Sequence, residues 1–333
     1  MSSKQQSGAV NEYAVSGLVL QGSRNIFTVV PDTAMLPGND FSGEKKTTLE
    51  CRIKGKVLKG MDDYYNPLAP GDRVHIKVDP LHPGTALITK AEERRNILTR
   101  FNQKGQKSQI LAANIDLALC MTSPVSPPFR PRFLDRLLVQ AEVSAITPVI
   151  LCNKWDLFEG DHNTEERLFN YERIGYRVLR ISVKTGSGFD ELHSLMEGKT
   201  SALMGQSGVG KTSLVNLLSP GLTMKTGAVN EKFNRGNHTT SLSVMIKLPQ
   251  YNEKTFLIDT PGIRRMVPDG VKREDLPLYM KEFAGYSGQC AFGLSCSHRS
   301  EPGCKILEAA ACGLIHQDRY ESFVRIGDEL AGL

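Results

Sequence analysis

The sequence predicts a chain of three folded parts: a small all-β barrel, a central α/β domain with a mainly parallel sheet, and a short helical, metal-binding C-terminal domain. Three observations lead there. Five short strands separated by turn residues fill residues from about 15 to 90. Alternation of strands and helices begins near residue 114 and runs through Gly205-Gln206-Ser207-Gly208-Val209-Gly210-Lys211-Thr212. Three cysteines and a histidine crowd the stretch from Cys290 to Cys304. These changes of pattern set the expected boundaries: 1–12 a disordered tail, 13–92 the barrel, 93–266 the α/β domain and 267–333 the metal-binding domain.

Bulk composition narrows the class. At 333 residues the chain exceeds one ordinary domain, and 40% hydrophobic with 23% charged residues is the balance of a soluble globular protein. No apolar run approaches the roughly 20 residues of a membrane span, and the polar first dozen residues lack the apolar core of an export signal. A formal charge of +5 permits a nucleic-acid partner and equally suits an ordinary solvated surface. Seven cysteines, an odd number, with no export signal point to a reducing cytoplasm rather than a disulfide framework. Cys51, Cys120 and Cys152 sit singly in apolar runs, as buried thiols do.

Along the chain, strands are expected at 17–20, 25–30, 49–53, 73–78 and 85–88, several alternating apolar with polar residues. Five such strands are the number in an OB-fold barrel. Arg52, Lys54, Lys56 and Lys59 cluster between the third and fourth. They read either as contacts to an RNA phosphate backbone or as a solvated basic loop. Residues 91–108, polar and basic, read as a linker that could extend such a surface. Strands then follow at 115–121, 148–152, 177–181, 201–204 and 255–258, with helices at 131–144, 165–174, 189–196, 211–218 and 321–330. Strand–helix alternation implies a parallel sheet covered on both faces, with ligands at the strands' carboxyl ends.

The eight residues from Gly205 fit G-x-x-x-x-G-K-[ST], between a strand and a helix. Backbone N–H groups of such a loop and the following helix N-terminus, through Ser213, would face phosphate oxygens. Lys211 would reach the β- and γ-phosphates and Thr212 would ligate Mg²⁺. Asn153-Lys154-Trp155-Asp156 stands directly after the 148–152 strand as N-K-x-D. A carboxylate at Asp156 would accept from guanine N1–H and its exocyclic amine, a donor pair adenine lacks, so the nucleotide would be GTP. Ser182-Val183-Lys184 reads as a second guanine loop or as a polar turn. Asp259-Thr260-Pro261-Gly262 is D-x-x-G, with Asp259 in the Mg²⁺ shell and the Gly262 N–H on the γ-phosphate. Thr239 or Thr240, in Gly236-Asn237-His238-Thr239-Thr240, would close on Mg²⁺ in the GTP state.

The order of these motifs is informative. In Ras-like GTPases the phosphate loop comes first and N-K-x-D near the end, whereas here N-K-x-D precedes the phosphate loop, so the domain is a circularly permuted P-loop GTPase. Residue 263 is Ile, where Ras-like enzymes carry the glutamine that orients the attacking water. His238, the nearest candidate in sequence, would either polarise that water or only shape its loop.

Cys290-x5-Cys296-x-His298-x5-Cys304 has the donor set of a closed structural Zn²⁺ site, with Cys312 a possible substitute on a neighbouring helix. The surrounding residues read as too poor in large apolar side chains to form a core, which leaves the metal to supply folding energy.

Together these features resemble the small-ribosomal-subunit-dependent GTPase A family (RsgA, also called YjeQ or EngC) from about residue 15 to 330. The resemblance extends to Arg95-Asn96-x-Leu98-x-Arg100, Ala113-Asn114-x-Asp116, Leu134-Asp135-Arg136 and Gly303-Cys304 after Glu301-Pro302. It implies an OB-fold that touches 16S rRNA, GTP hydrolysis stimulated by the 30S subunit, a role late in that subunit's maturation, and a zinc domain that helps docking. It also implies a catalytic His238 and a cytoplasmic monomer that binds GTP and GDP and no membrane. Two departures stand out: Asn237 replaces the usual cation of the histidine loop, and the first zinc spacing is C-x5-C rather than C-x4-C. The alternative to an enzyme is an RNA-binding assembly factor that uses GTP as a slow conformational ligand.

Overall fold

The computed structural model describes residues 14–23, 25–32, 48–55, 63–102, 106–220, 243–248, 250–261 and 266–332. Strands β1 (Ala14–Ser23), β2 (Ile26–Pro31), β3 (Leu49–Ile53), β4 (Arg73–Val78) and β5 (Thr85–Ala91) close into a barrel in the order β1-β2-β3-β5-β4. All its pairings are antiparallel except β3 with β5. The alternation seen in the sequence is the barrel's inside and outside. Val15, Val19, Phe27, Val29, Cys51, Val74, Ile76 and Ile88 point inward and are buried.

The expected linker is structured. β6 (Ile97–Asn102) and β7 (Lys107–Ala113) form an antiparallel ribbon that joins the barrel to the rest of the chain. Its polarity misled because one edge of the ribbon is satisfied by the barrel's own β3–β4 connection. Tyr65 donates its N–H to Ser108 O (2.8 Å), and Asn66 bonds both backbone groups of Ile110 (2.9 Å each). Gly71 lies so close that a Cβ there would sit 2.1 Å from Ala113 O, at a φ of +92° that favours glycine. Arg94 clamps the joint through a bidentate pair with buried Asp72 (2.7 and 2.8 Å).

The central sheet contains β8 (Leu117–Thr122), β9 (Thr147–Cys152), β10 (Arg177–Arg180), β11 (Thr200–Gly205), β12 (Val244–Lys247) and β13 (Phe256–Asp259), in the order β10-β9-β8-β11-β13-β12. Five strands are parallel and β12 is an antiparallel edge, an element too short for its pattern to stand out in sequence. Helices α1 (Pro131–Val143) and α2 (His162–Arg173) cover one face through Leu134, Leu138, Leu168 and Tyr171. Helices α3 (Phe189–Met196) and α4 (Lys211–Leu218) cover the other through Leu192, Met196, Leu214 and Val215. β9, β10 and β11, the strands ahead of the first three motifs, stand close in the sheet with β8 between β9 and β11, which brings their carboxyl ends together.

The C-terminal part holds α5 (Lys281–Ala284), α6 (Lys305–Ala311) and α7 (Gln317–Ala331). It holds an apolar core that its sequence did not suggest. Leu276, Met280, Phe283, Ile306, Ile315, Phe323 and Ile326 make a compact core with the three cysteines, and Val139 of α1 joins it. The apolar residues are spread over fifty positions, which hid their convergence. No helix among the described residues is long and apolar enough to cross a membrane.

Charge fastens this part to the sheet. Arg319 of α7 is buried and bonds Asp135 of α1 (2.6 Å) and both oxygens of Glu282 (2.5 and 2.9 Å). Tyr171 of α2 donates to the same Asp135 oxygen at 2.6 Å. Around them Arg132 pairs with Glu321, Arg136 with Glu329, and Arg167 with Asp318. Asp269 completes the join: its N–H donates to Gln140 Oε1 (2.7 Å) and its carboxylate accepts from Ser108 of the ribbon (2.9 Å). Removing one member of a buried ion pair leaves the other uncompensated. Asp135→Ala is expected to cost about 3–5 kcal/mol in chemical denaturation; a loss below about 1 kcal/mol would show that Glu282 alone neutralises Arg319.

Candidate nucleotide and metal sites

Three of the sequence motifs meet at the carboxyl edge of the sheet. Asn153 sits at their junction, 2% exposed. Its Nδ2 donates to Val209 O of the phosphate loop (2.8 Å), and its Oδ1 accepts the Val183 N–H (3.0 Å). Lys154 takes a left-handed backbone (φ +64°) and donates its Nζ to Gly208 O (2.8 Å) and to Ser126 O. Asp156 Oδ1 accepts from the Ser182 hydroxyl (2.6 Å), which also receives the Thr185 N–H (3.2 Å). Lys184 is exposed beside them. Trp155 stacks on Phe158 at 4.3 Å and lies under the Arg180 guanidinium at 5.5 Å.

The phosphate loop runs from Gly205, the last residue of β11, to Lys211, the first of α4. Gly210 has φ +102°, and a Cβ there would lie 2.5 Å from Asn153 Nδ2. Ser207 and Gly208 are exposed, Val209 is buried, and Thr212 and Ser213 are half-buried in the first turn of α4. Lys211 Nζ donates to Gly205 O (2.7 Å) and Gln206 O (3.0 Å). Burial lowers its pKa while Asp259 opposes the fall. Asp259, at the end of β13, is buried and its Oδ1 has no hydrogen-bond partner; burial pushes its pKa up to about 6 against the pull of Lys211. Next to it, Thr260 anchors the strand end by donating to Leu203 O (2.6 Å). A buried carboxylate oxygen left without a hydrogen-bond partner suits a cation.

Gly236, Asn237, His238, Thr239, Thr240, Gly262 and Ile263 lie outside the described residues, as do Lys56 and Lys59. Arg52 and Lys54 are exposed at the end of β3. Sequence reading missed the segment after β8, whose Ser126 carbonyl receives Lys154 and whose Pro127 would lie 3.5 Å from a Cβ added at Gly208. Its signal was positional: it leaves the carboxyl end of a strand in the same sheet.

The second site is the Cys3His group. The donor atoms of Cys290, Cys296, His298 and Cys304 lie within 4.8 Å of one another, and all four residues are buried. Cys290 therefore joins despite its longer spacing, with the 3-10 turn Gly293–Ser295 lying between it and Cys296. Cys312 is exposed at the end of α6 and stands apart from the group. His298 holds a left-handed backbone (φ +59°) and its carbonyl accepts from Tyr320 Oη (2.8 Å). Glu301 braces the loop by accepting N–H bonds from Ser297 (2.7 Å) and Arg299 (2.9 Å), which hold its carboxyl well below the usual range. Four soft and borderline donors closing on one point can hold a single metal ion.

Adding a methyl group at Gly210 tests the junction. Gly210→Ala is expected to displace Asn153 from Val209 and lower the melting temperature; an unchanged melt would show that the loop absorbs a side chain there.

Comparison with known proteins places the architecture. The RsgA GTPase family profile matches residues 91–267. "Small ribosomal subunit biogenesis GTPase RsgA" of Bacteroides fragilis is 35% identical over 314 residues, covering 93% of this chain and 95% of the relative. The protein of the same name from Chlorobaculum tepidum is 39% identical over 291 residues, covering 85% and 91%. Among solved structures, YjeQ from Thermotoga maritima matches with a TM-score of 0.71 at 28% identity, over 96% of this chain and all of that one. YloQ, described as a circularly permuted GTPase, matches in fold with a TM-score of 0.66 at 24% identity, over 98% of both chains. With the barrel, the permuted sheet and the Cys3His group in the same order, this chain belongs to the RsgA GTPase family and is a GTP hydrolase.

Proposed function

We propose that this GTPase binds the 30S ribosomal subunit through 16S rRNA, acts late in the maturation of that subunit, and leaves it on hydrolysis. The observation that carries the nucleotide half of the reading is Asn153, whose amide joins the N-K-x-D, S-V-K and phosphate loops. The ribosomal half rests on the names of the relatives. The units assigned are the tail 1–12, the barrel 13–92 against rRNA with Arg52, Lys54, Lys56 and Lys59, the GTPase domain 93–266, and the zinc domain 267–333. The protein is a cytoplasmic monomer on this reading.

In the mechanism, Asp156 selects guanine by accepting two N–H bonds, and the Ser182 hydroxyl on its Oδ1 fixes its orientation (2.6 Å). Asn153, Lys154 and Trp155 shape the base pocket with Val183 and Lys184. Backbone N–H groups from Gln206 to Ser213 surround the phosphates, with Gly205, Gly208 and Gly210 giving the turn its room. Lys211 moves from its carbonyl partners to the β- and γ-phosphates, where burial strengthens its charge interaction. Thr212, Asp259 and either Thr239 or Thr240 would hold Mg²⁺, and the Gly262 N–H would contact the γ-phosphate. Mg²⁺, when bound, would supply neutralisation of developing phosphate charge. His238 orients the attacking water in place of the glutamine that Ile263 replaces. GDP then binds the same loops without the γ-phosphate contacts.

The metal assigned to the Cys3His group is structural Zn²⁺. Tetrahedral zinc with bonds of roughly 2.3 Å to sulfur and 2.0–2.1 Å to nitrogen separates sulfurs by about 3.8 Å and sulfur from nitrogen by about 3.5 Å. Here Cys290 Sγ is 3.8 Å from Cys304 Sγ, and His298 Nδ1 is 3.5 and 3.4 Å from those two sulfurs.

GTP turnover measured with and without purified 30S subunits tests the whole reading; absence of acceleration would favour an RNA-binding factor for which GTP is a slow ligand. Asp156→Asn is expected to weaken GTP binding by roughly a hundredfold or more. Trp155 is the only tryptophan, so its emission follows the titration directly. His238→Ala is expected to slow stimulated hydrolysis by roughly 10²–10⁴-fold while leaving GTP affinity intact. Elemental analysis should return one zinc per chain, and Cys304→Ser should lose it.

A further inference from the structure

We propose that Arg180 is a positioning residue for guanine recognition, holding Trp155 with its cation so that the turn carrying Asp156 keeps its aim. The proposal deepens the guanine reading above and rests on it for the role of Asp156.

The N-K-x-D turn is strained at its second residue. Lys154 holds φ +64°, a region that costs any residue with a Cβ and persists only where the surrounding structure fixes it. Asn153 fixes one flank through its two buried bonds. Trp155 is the other flank. Its N–H donates to Ile181 O (3.1 Å), and its half-buried ring has two partners, Phe158 stacked at 4.3 Å and the Arg180 guanidinium at 5.5 Å. Asp156 follows directly and is exposed, so little beyond the Ser182 hydroxyl (2.6 Å) and the seating of Trp155 sets its direction.

Arg180 serves both of those supports. It is the last residue of β10, two positions before Ser182, and it donates Nη1 to Glu172 of α2 (2.6 Å). One side chain therefore grips the indole beside Asp156 and belongs to the strand end that delivers the Ser182 hydroxyl. A guanidinium keeps its charge while paired, and indole is the aromatic that attracts a cation most strongly. Arg177, at the other end of β10, shows the contrast. It pairs with Glu191 with side chains 56% and 53% exposed, an ordinary surface pair, whereas Arg180 and Glu172 are 33% and 35% exposed. Glu172 is also held from behind. Its neighbour Tyr171 is buried and donates to Asp135, the carboxylate that takes Arg319 of α7. The grip on Trp155 is thus anchored in the rigid seam between α2 and the C-terminal helices.

A positioning role has its own signature. Guanine offers Asp156 both N1–H and the exocyclic amine, while hypoxanthine offers N1–H alone. A carboxylate that loses its aim therefore loses more with GTP than with ITP. Titration of the full chain with GTP, ITP and ATP, combined with basal turnover, reads this difference. Arg180→Met keeps an apolar stem and removes the cation; it is expected to raise the Kd and KM for GTP about fivefold, to affect ITP less, and to leave kcat unchanged. Acrylamide quenching of the emission of Trp155, the only tryptophan, should rise in the same variant. Arg180→Lys, which keeps a cation for the indole and for Glu172, should restore most of the preference for GTP. An unchanged preference for GTP over ITP in Arg180→Met overturns the proposal. So does a fall in kcat that matches the fall in kcat/KM, or a lysine variant no better than the methionine one. If Arg180→Met melts too low to titrate, Glu172→Gln makes the comparison: a reduced preference supports the role and a wild-type preference overturns it. If wild type itself binds ITP and ATP as well as GTP, the guanine reading of Asp156 falls. If wild type prefers GTP and Arg180→Met prefers it equally, only the positioning role falls.

Discussion

Two hydrogen bonds from one buried amide hold the nucleotide site together. Asn153 gives its N–H to Val209 and takes the N–H of Val183, so the loops after β9, β10 and β11 cannot move independently. Each bond contributes only about 1 kcal/mol net, but a lost partner leaves a buried polar group unsatisfied at about 1–3 kcal/mol. That asymmetry makes the junction a constraint rather than a preference. Everything at the carboxyl edge is placed relative to it: Lys154 braces the phosphate loop from the same turn, and Ser182 sets Asp156 from the opposite one. The tight approach of Gly210 to the same amide follows from the same crowding.

The permuted order changes what the sheet is connected to. The phosphate loop lies at the centre of the sheet, but the chain leaves the domain from β13, beside Asp259. Met266 packs into the sheet's core, and Asp269 is bonded both to α1 and to the ribbon that enters the domain. Entry and exit are thus stapled at one residue. The C-terminal helices are then held to α1 and α2 by charges of which the innermost, Arg319 with Asp135 and Glu282, are almost fully desolvated.

Much of this was legible in sequence because the relevant signals are local. Alternation in β1 to β5 follows from a two-residue period, and the motifs of the nucleotide site are short strings set at strand ends. The Cys3His group was legible for the same reason. What sequence hid depends on contacts between distant residues. The ribbon β6–β7 looked like a linker because its partners, Tyr65 and Asn66, lie some forty positions earlier. The C-terminal core looked absent because Leu276, Phe283, Ile306 and Phe323 stand far apart in the chain and meet only in the fold. Arg319 gave no signal at all, since nothing in Arg-Tyr-Glu distinguishes a buried cation from a surface one.

One feature of α1 sets how this protein can vary. A helix on the surface of a domain ordinarily keeps one side in water, where substitutions are close to neutral. None of the thirteen residues of α1 is exposed. Leu134, Leu137, Leu138 and Ala141 belong to the sheet's core, while Asp135, Val139 and Gln140 are committed to the C-terminal helices and Asp269. Apart from Arg132, whose side chain is 43% exposed, the helix has little surface on which drift is free. Changes that suit the nucleotide domain must also suit the C-terminal part, so the two are bound to evolve as one piece.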